Sequence, residues 1–224
     1  MTPAELTGRA RTHIVDVAEP SSALHVHAVA PFTQLCRAAA AEGFDLVPVS
    51  TFRDFARQLS IWNRKWSGEV PLNDPDGNPL DPATLSADER VDAILHWSAL
   101  PGASRHHWGT DLDLIDRRAL PPGYRVQLVP GEYISPGPFA RLAEWLEANA
   151  ARFGFFRPFR GVLSGVQPEP WHFSFAPVAE PARRRLTPAL LREALESSDL
   201  AGKEAVLPRV EEIHARYVAS IDWP

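Results

Sequence analysis

The sequence predicts an α+β protein with one main domain and a helical C-terminal extension. Its 224 residues and mass of 24.8 kDa suit one domain, or one domain with an appendage. The run from Asp111 to Ile115 alternates polar and apolar residues, which is typical of a strand with one buried face. Between Pro138 and Arg152 the apolar residues recur at helical spacing, and Gly154 follows as a stop. Strands and helices are therefore both expected.

Local signals predict the other elements along the chain. Pro31 and Gly43 bound an alanine-rich helix, and Ser86 with Glu89 forms a capping box at the start of another. The predicted helices span residues 31–42, 54–66, 86–97, 138–152, 188–197 and 203–218. The predicted strands span residues 13–17, 46–49, 111–115, 124–129, 153–156 and 171–175, and the alternating run 24–29 is considered as a further strand.

The chain changes character near residue 180. Residues 1–180 are predicted to form the main domain, and residues 181–224 a helical extension packed on it. The run of arginines at 183–185 is interpreted as a solvated approach to a helix. Within the main domain, residues 67–84 contain several proline and glycine residues and turn pairs. A long segment of this kind is either a wall or lid of an active site or an inconsequential surface excursion, and the sequence leaves both readings open.

Composition and charge exclude some classes of function. The net charge of −5 and the pI near 5.9 argue against nucleic acid as the main partner, since phosphate binding needs a basic face. The single cysteine, Cys36, cannot form an internal disulfide and is expected to be a buried, inert thiol. The sequence has no apolar run of the ~18–20 residues that a membrane span needs.

The N-terminus lacks a charged head followed by an apolar core, so it is not interpreted as a signal peptide. We therefore expect a cytoplasmic protein if Met1 is the native start, or a protein of the cell envelope if an export signal was removed. The sequence makes no prediction of oligomeric state.

Two short motifs carry the chemistry. The first supplies His106 and Asp113, and the second supplies Glu169 and His172. Two histidines and one carboxylate can bind a metal ion and leave a coordination position open for water, while a further glutamate beside that water can act as its base. Gly109 lies between the first two candidate ligands and permits a sharp backbone turn.

The neighbouring histidines are weaker candidates. His107 is an alternative to His106 as a ligand, although the spacing favours His106. His25 and His27 would share a face if they lay on a strand, which raises the question of a second metal site, but no third ligand lies nearby.

The motifs resemble those of the VanY-type D-alanyl-D-alanine carboxypeptidases. Family members carry S-x-H-x-x-G-x-A-x-D and a later E-x-W-H, which are matched here by Ser104 to Asp113 and by Glu169 to His172. A third segment, Ser50 to Arg53 followed by Gln58, is similar to the S-G-Y-R…Q segment of the family. The three segments occur in the family's order between about residues 45 and 178. The resemblance extends to VanX-like dipeptidases, peptidoglycan L,D-carboxypeptidases and the hedgehog domain, and it implies a small antiparallel sheet flanked by helices.

The resemblance also implies roles for individual residues. Zinc would be bound by His106, Asp113 and His172, and Glu169 would be the general base on a zinc-bound water. Arg53 would hold the carboxylate of the substrate or the developing oxyanion, because its fork of donors suits both. The implied substrate is a peptidoglycan stem peptide. The remaining implied substrate contacts are Gln58, Ser104 and Trp171.

Several positions depart from the family pattern. Asp111 stands where the family has alanine, and its carboxylate either pairs with Arg105 or interacts with the metal or the substrate. Thr51 replaces the glycine of the arginine segment. Ser174 and Phe175 follow His172 where relatives often have arginine and tyrosine, so recognition of the substrate terminus is expected to differ.

Three alternatives to a D,D-carboxypeptidase stay open at this point. The same chemistry serves an L,D-carboxypeptidase, an endopeptidase or a dipeptidase. An iron(II) oxygenase also uses two histidines and one carboxylate, although its first pair is usually His-x-Asp. The third alternative is a zinc-binding interaction module without turnover. For Arg53 alone, the simplest alternative to a catalytic role is a surface ion pair with Asp54 or Glu69.

Overall fold

The computed structural model describes residues 1–223, which form helices packed around a small antiparallel sheet. The strands are β1 (Ile14–Val17), β2 (Ser22–His25), β3 (Leu46–Ser50), β4 (Leu72–Asn73), β5 (Pro79–Leu80), β6 (Asp111–Asp116), β7 (Phe155–Phe156) and β8 (His172–Phe175). The helices are α1 (Pro3–Leu6), α2 (Val29–Ala41), α3 (Phe55–Trp66), α4 (Ala87–Leu95), α5 (Ala140–Asn149), α6 (Ala176–Arg185), α7 (Pro188–Glu196), α8 (Lys203–Val206) and α9 (Val210–Ile213).

The main sheet has the strand order β3-β6-β8-β7, and every neighbouring pair is antiparallel. The central strand β6 is buried along its whole length. Leu112 and Leu114 pack with α2 and α5 in one apolar cluster. Because side chains alternate along a strand, Asp111 and Asp113 point to the opposite face. The alternation read from the sequence therefore separates a packing face from a polar face.

Local sequence explains where several helices begin. The carboxylate of Asp54 accepts a hydrogen bond from Arg57 N (2.7 Å) and caps α3. Ser86 and Glu89 form the predicted capping box of α4. Both devices satisfy backbone N–H groups that have no partner inside the helix.

The C-terminal helices bury their apolar residues against α1, α3 and α4. Leu191, Leu195 and Ile213 belong to the same core cluster as Trp62 and Val91, and each of these side chains is essentially inaccessible to solvent. Helix α6 runs across residue 180, and Pro177 and Pro181 within it hide its pattern in the sequence. The domain boundary at residue 180 stays a prediction.

Two sequence-based expectations about strands are wrong. Residues 124–129 form no strand, because Tyr124 Oη and the N–H groups of Gln127 and Val129 donate instead to the buried carboxylate of Glu132. Strand β2 ends at His25, so His27 lies in the turn before α2 rather than on a strand.

None of the helices within residues 1–223 combines the length and the apolar character that crossing a membrane requires.

Candidate active site

Three predicted ligands meet at one buried point of the polar face of the sheet. His106 lies in the 3-10 turn Arg105–Trp108 before β6, Asp113 lies on β6, and His172 begins β8 opposite Asp113. His106 Nε2 is 3.5 Å from Asp113 Oδ2, and His172 Nδ1 is 3.5 Å from Asp113 Oδ1. One donor atom from each residue lies within 4.8 Å of the others. We call these three residues the His–Asp–His cluster.

Hydrogen bonds orient both imidazole rings of the cluster. His106 Nδ1 is 2.8 Å from Thr51 O, so this nitrogen carries the proton and donates a hydrogen bond to the carbonyl. His172 Nε2 is 2.8 Å from Asp111 Oδ1 and donates in the same way. When His172 is neutral, the remaining nitrogens, His106 Nε2 and His172 Nδ1, are the ones left to bind a metal ion beside Asp113, as in metal-binding imidazoles.

The electrostatics of the cluster favour a positive charge at its centre. Burial, reinforced by the Arg53 cation, holds the pKa of His106 well below its usual value. Burial also acts on His172, but hydrogen bonds to Asp111 and Glu169 outweigh it and raise its pKa to about 10. Burial raises the pKa of Asp113 to about 6, and its Oδ1 is a buried acceptor without a hydrogen-bond partner among the described residues. Such a site is suited to a cation.

Glu169 lies at the edge of the cluster, where the cluster meets the cleft. Its Oε2 is 2.8 Å from His172 Nδ1, and its side chain is 14% exposed. Its backbone N–H donates to Phe159 O (3.1 Å), which ties Glu169 to the preceding loop. The carboxylate is therefore within reach both of the cluster and of a molecule in the cleft.

Arg53 follows β3 and lines the cleft on the same side as the cluster. Its Nη1 donates to Gln58 Oε1 (2.8 Å) and its Nη2 to Ser50 Oγ (3.0 Å). Burial lowers the pKa of Arg53, and the charges of Asp113 and Glu169 oppose that shift. Arginine keeps its charge at neutral pH even so. The guanidinium is thus a fixed cation beside the cluster.

Neither residue named as a surface ion-pair partner of Arg53 is available to it. The Asp54 carboxylate caps α3, and Glu69 pairs with Arg64 at 2.7 Å. Gln58 is fully buried behind Arg53, and its Nε2 donates to Ala99 O (2.7 Å). The side chain of Gln58 therefore contacts Arg53 instead of the cleft, against the expectation that it touches substrate.

Asp111 is the centre of a fully buried polar network behind the cluster. Its Oδ1 accepts from Arg105 Nε (2.8 Å) as well as from His172. Its Oδ2 accepts from Thr110 Oγ1 (2.5 Å) and Ser174 Oγ (3.0 Å), and Arg105 Nη2 donates to the same serine oxygen (2.6 Å). Asp111 thus pairs with Arg105, one of the two roles left open by the sequence, and it also contacts the candidate ligand His172.

His107 points away from the cluster. The ring is fully buried, its Nδ1 lies 2.5 Å from Arg53 O, and its Nε2 accepts from Gly102 N (3.1 Å). Both nitrogens are occupied, so the alternative that His107 replaces His106 as a ligand is wrong. Among residues 1–223 the group of three donors at metal-binding distances is the His–Asp–His cluster, and His25 and His27 are not part of it.

A cleft of about 790 Å³ opens over the cluster. Ser104 and Trp171, both predicted substrate contacts, are among the lining residues. The tip of the β4–β5 hairpin also lines it through Pro75 and Gly77, so part of the segment 67–84 is a wall of the cleft. Two further walls lack any motif in the sequence, and they are formed by residues 127–130 and by Ile213, Tyr217 and Val218.

Comparison with known proteins identifies a family. The family described as VanY, D-alanyl-D-alanine carboxypeptidase, matches residues 21–178. An uncharacterised protein of Haemophilus influenzae is 38% identical over 121 residues, which cover 53% of this chain and 92% of that protein.

Two solved structures share the fold. VanYB in complex with D-alanine-D-alanine has a TM-score of 0.52 at 22% identity, covering 83% of this chain and 89% of that chain. A VanY variant from a VanB-type resistance cassette, in complex with Zn(II), has a TM-score of 0.51 at 21% identity, covering 86% and 88%. The small antiparallel sheet flanked by helices is thus the fold of a class of peptidases. The chain belongs to the VanY D-alanyl-D-alanine carboxypeptidase family.

Proposed function

We propose that the protein is a zinc-dependent carboxypeptidase that removes the terminal D-alanine of peptidoglycan stem peptides. The observation that carries this proposal is the convergence of His106, Asp113 and His172 at the base of a cleft, with Glu169 beside them. The family match supports the reaction class. VanYB, which shares the fold, binds D-alanine-D-alanine, and this supports the substrate class.

The donor set fits zinc. Two imidazole nitrogens and one carboxylate oxygen are a common set of protein ligands for catalytic zinc, which keeps its fourth position open. The buried, unpartnered Oδ1 of Asp113 is the kind of atom that a cation would satisfy. A VanY variant of the same fold has been solved with Zn(II). When bound, zinc polarises the peptide carbonyl and lowers the pKa of water toward ~7.

Glu169 acts as the general base in this proposal. Its carboxylate accepts a proton from the attacking water and passes it to the amine that leaves when the peptide bond breaks. The position of Glu169 between the cluster and the cleft supports this role, because a base must lie within hydrogen-bond reach of the proton that it takes.

Arg53 binds the substrate's terminal carboxylate. Both terminal nitrogens of Arg53 donate hydrogen bonds, one to Gln58 and the other to Ser50, so the guanidinium has a fixed orientation at the cleft. A rigid fork of donors suits a carboxylate. Gln58 then serves as a positioning residue for Arg53, while Ser104 and Trp171 stay proposed substrate contacts on the cleft wall.

Asp111 is a positioning residue for His172. By accepting a hydrogen bond from the Nε2–H group, Asp111 fixes the tautomer whose Nδ1 can bind zinc. Arg105, Thr110 and Ser174 hold the Asp111 carboxylate in place.

Incubation of the zinc-loaded protein with defined stem peptides, followed by mass spectrometry, tests the function. We expect the release of one terminal D-alanine. Pentapeptide and tetrapeptide substrates distinguish D,D- from L,D-cleavage, and internally cross-linked peptides report an endopeptidase. Stoichiometric iron with oxygen-dependent turnover, or zinc binding without hydrolysis of any stem peptide, would contradict the proposal.

A further inference from the structure

We propose that the C-terminal segment, residues 213–223, clamps the loop that carries the predicted base and thereby positions Glu169, with Asp222 as the central contact. This inference rests on the proposed role of Glu169. The segment lies outside residues 21–178, the part of the chain that matches the family. The clamp is therefore a feature of this chain that the family match does not describe.

The loop needs an external support. Residues 157–168 connect β7 to Glu169 and contain neither helix nor strand. Backbone N–H groups in such a segment must find partners elsewhere in the structure or in water. We call these residues the base loop, because they lead into Glu169.

Asp222 supplies most of that support. Its carboxylate accepts hydrogen bonds from Arg160 N (2.7 Å) and Leu163 N (3.1 Å), with a longer one from Val162 N (3.5 Å). Its own N–H donates to Pro158 O (3.0 Å). Asp222 is 8% exposed, so these bonds are largely sheltered from water. Bonds from backbone N–H to an ionised carboxylate are stronger than neutral ones.

A second contact joins the base loop to the same segment. Gly165 N donates to Arg216 O (3.1 Å). A Cβ atom on Gly165 would lie 2.7 Å from the ring of Tyr217, so the Tyr217 ring packs where any larger residue would place its side chain. Trp223 adds an edge contact with Phe156 of β7, at 4.6 Å between ring centroids. The tail thus contacts the base loop and the strand that precedes it.

The base loop in turn contacts the catalytic residues. Phe159 lies between Pro158 and Arg160, which both bond to Asp222. The carbonyl oxygen of Phe159 accepts a hydrogen bond from Glu169 N (3.1 Å). Its ring also meets His172 edge-on, at 5.0 Å between centroids. A displacement of residues 158–160 would therefore move Glu169, whereas the cluster has further support from the sheet, from Thr51 and from Asp111.

This separation makes the clamp testable apart from zinc binding. Asp222→Asn keeps the size of the side chain but removes its charge and places a donor against backbone N–H groups. We expect the backbone amide hydrogens of Arg160 and Leu163 to exchange with solvent about tenfold faster or more, because each amide loses a charge-assisted hydrogen bond. We expect kcat on the stem peptide to fall about tenfold or more, and the zinc dissociation constant to stay within about threefold.

Two further variants complete the experiment. Asp222→Glu retains the carboxylate and should recover part of both the protection and kcat. Asp199→Asn makes the same change at an exposed aspartate in the connection between α7 and α8 and should alter none of the three measurements.

Unchanged amide exchange in Asp222→Asn would overturn the clamp. A loss of zinc affinity in proportion to kcat would also overturn it, because Asp222 would then support the whole fold instead of the base loop. If the unsubstituted protein hydrolyses no stem peptide, the proposed function fails, while faster exchange at Arg160 and Leu163 would still support the clamp as a hold on the base loop.

Discussion

The two halves of the candidate site are built differently. The His–Asp–His cluster lies on a hydrogen-bonded sheet, where Asp113 and His172 face each other in register on neighbouring strands. Glu169 instead follows an irregular loop that is held by residues more than fifty positions further along the chain. The cluster and the base touch at His172, but most of the contacts that hold them are different. Substitutions should be able to disrupt either one without the other.

Loss of a ligand from the sheet should have the largest effect. His106→Ala removes one of three donors, so we expect zinc affinity to fall by more than the ~10–100-fold that loss of an outer-shell partner costs. Hydrolysis should fall with it. Metal analysis after dialysis and the peptide assay measure both. Retention of stoichiometric zinc and activity would show that the cluster is not the metal site.

Loss of the support behind the cluster should have an intermediate effect. Asp111→Asn removes the charge that holds the His172 Nε2 proton, and we expect zinc affinity to fall about 10–100-fold. Competition with a chelator measures this affinity. Asp116→Asn, at the far end of the same strand, is the control and should leave zinc affinity unchanged. Equal zinc affinity in Asp111→Asn and the unsubstituted protein would remove Asp111 from the metal site.

Gly109, which lies in the turn between His106 and Asp113, should be important for the stability of the fold. Gly109 has φ of 65°, and an added Cβ would lie 2.3 Å from Ile14 Cδ1 and 2.7 Å from His25 N. We expect Gly109→Ala to lower the free energy of unfolding by more than about 2 kcal/mol, since strain and steric overlap add. Gly123→Ala has a similar φ of 76° but open space around it, and should cost only about 1 kcal/mol. Chemical denaturation compares the two, and equal costs would refute the close approach at Gly109.

The stability of the fold should also depend on pH through His25, which lies in the β1–β2 hairpin that packs against Gly109. Burial, with the charges of His13 and His27, lowers the pKa of His25 to about 4, against the residual pull of Glu5. The unfolded chain, with a histidine pKa near ~6.5, binds the proton first, so this contribution to stability is present above pH ~6.5 and is lost as the pH falls toward 4. We expect a loss of about 3 kcal/mol.

Denaturation curves at several pH values test this expectation. His25→Asn should show a shallower decline between pH ~6.5 and 4 than the unsubstituted protein. His27→Asn, at the exposed neighbouring position, removes only a lesser cause of the lowered His25 pKa and should stay closer to the unsubstituted protein than His25→Asn does. The same slope in His25→Asn would mean that other groups determine the decline.

The sequence was most informative where motif residues share a strand or a turn. Alternation along β6 separates Leu112 from Asp113, and the spacing of the first motif favours His106 over its neighbour. Both expectations agree with the contacts in the structure. Those inferences need only local geometry, which a short stretch of residues determines.

Sequence reasoning failed where distant segments determine the outcome. The run at 124–129 has the composition of a strand, but the buried Glu132 takes its hydrogen bonds. Gln58 matches a family motif, yet packing places it behind Arg53. Asp222 carries no motif at all, because its partners lie about sixty residues away and meet it only in the folded chain.

The most direct test of the account is Glu169→Ala, measured for bound zinc and for hydrolysis of a defined stem peptide in one preparation. We predict that the variant keeps one zinc ion per chain and loses about a hundredfold to ten-thousandfold in kcat, the range that a general base contributes. Hydrolysis at the unsubstituted rate would contradict the assignment of Glu169 as the base, and loss of the zinc would contradict the separation of the base from the cluster.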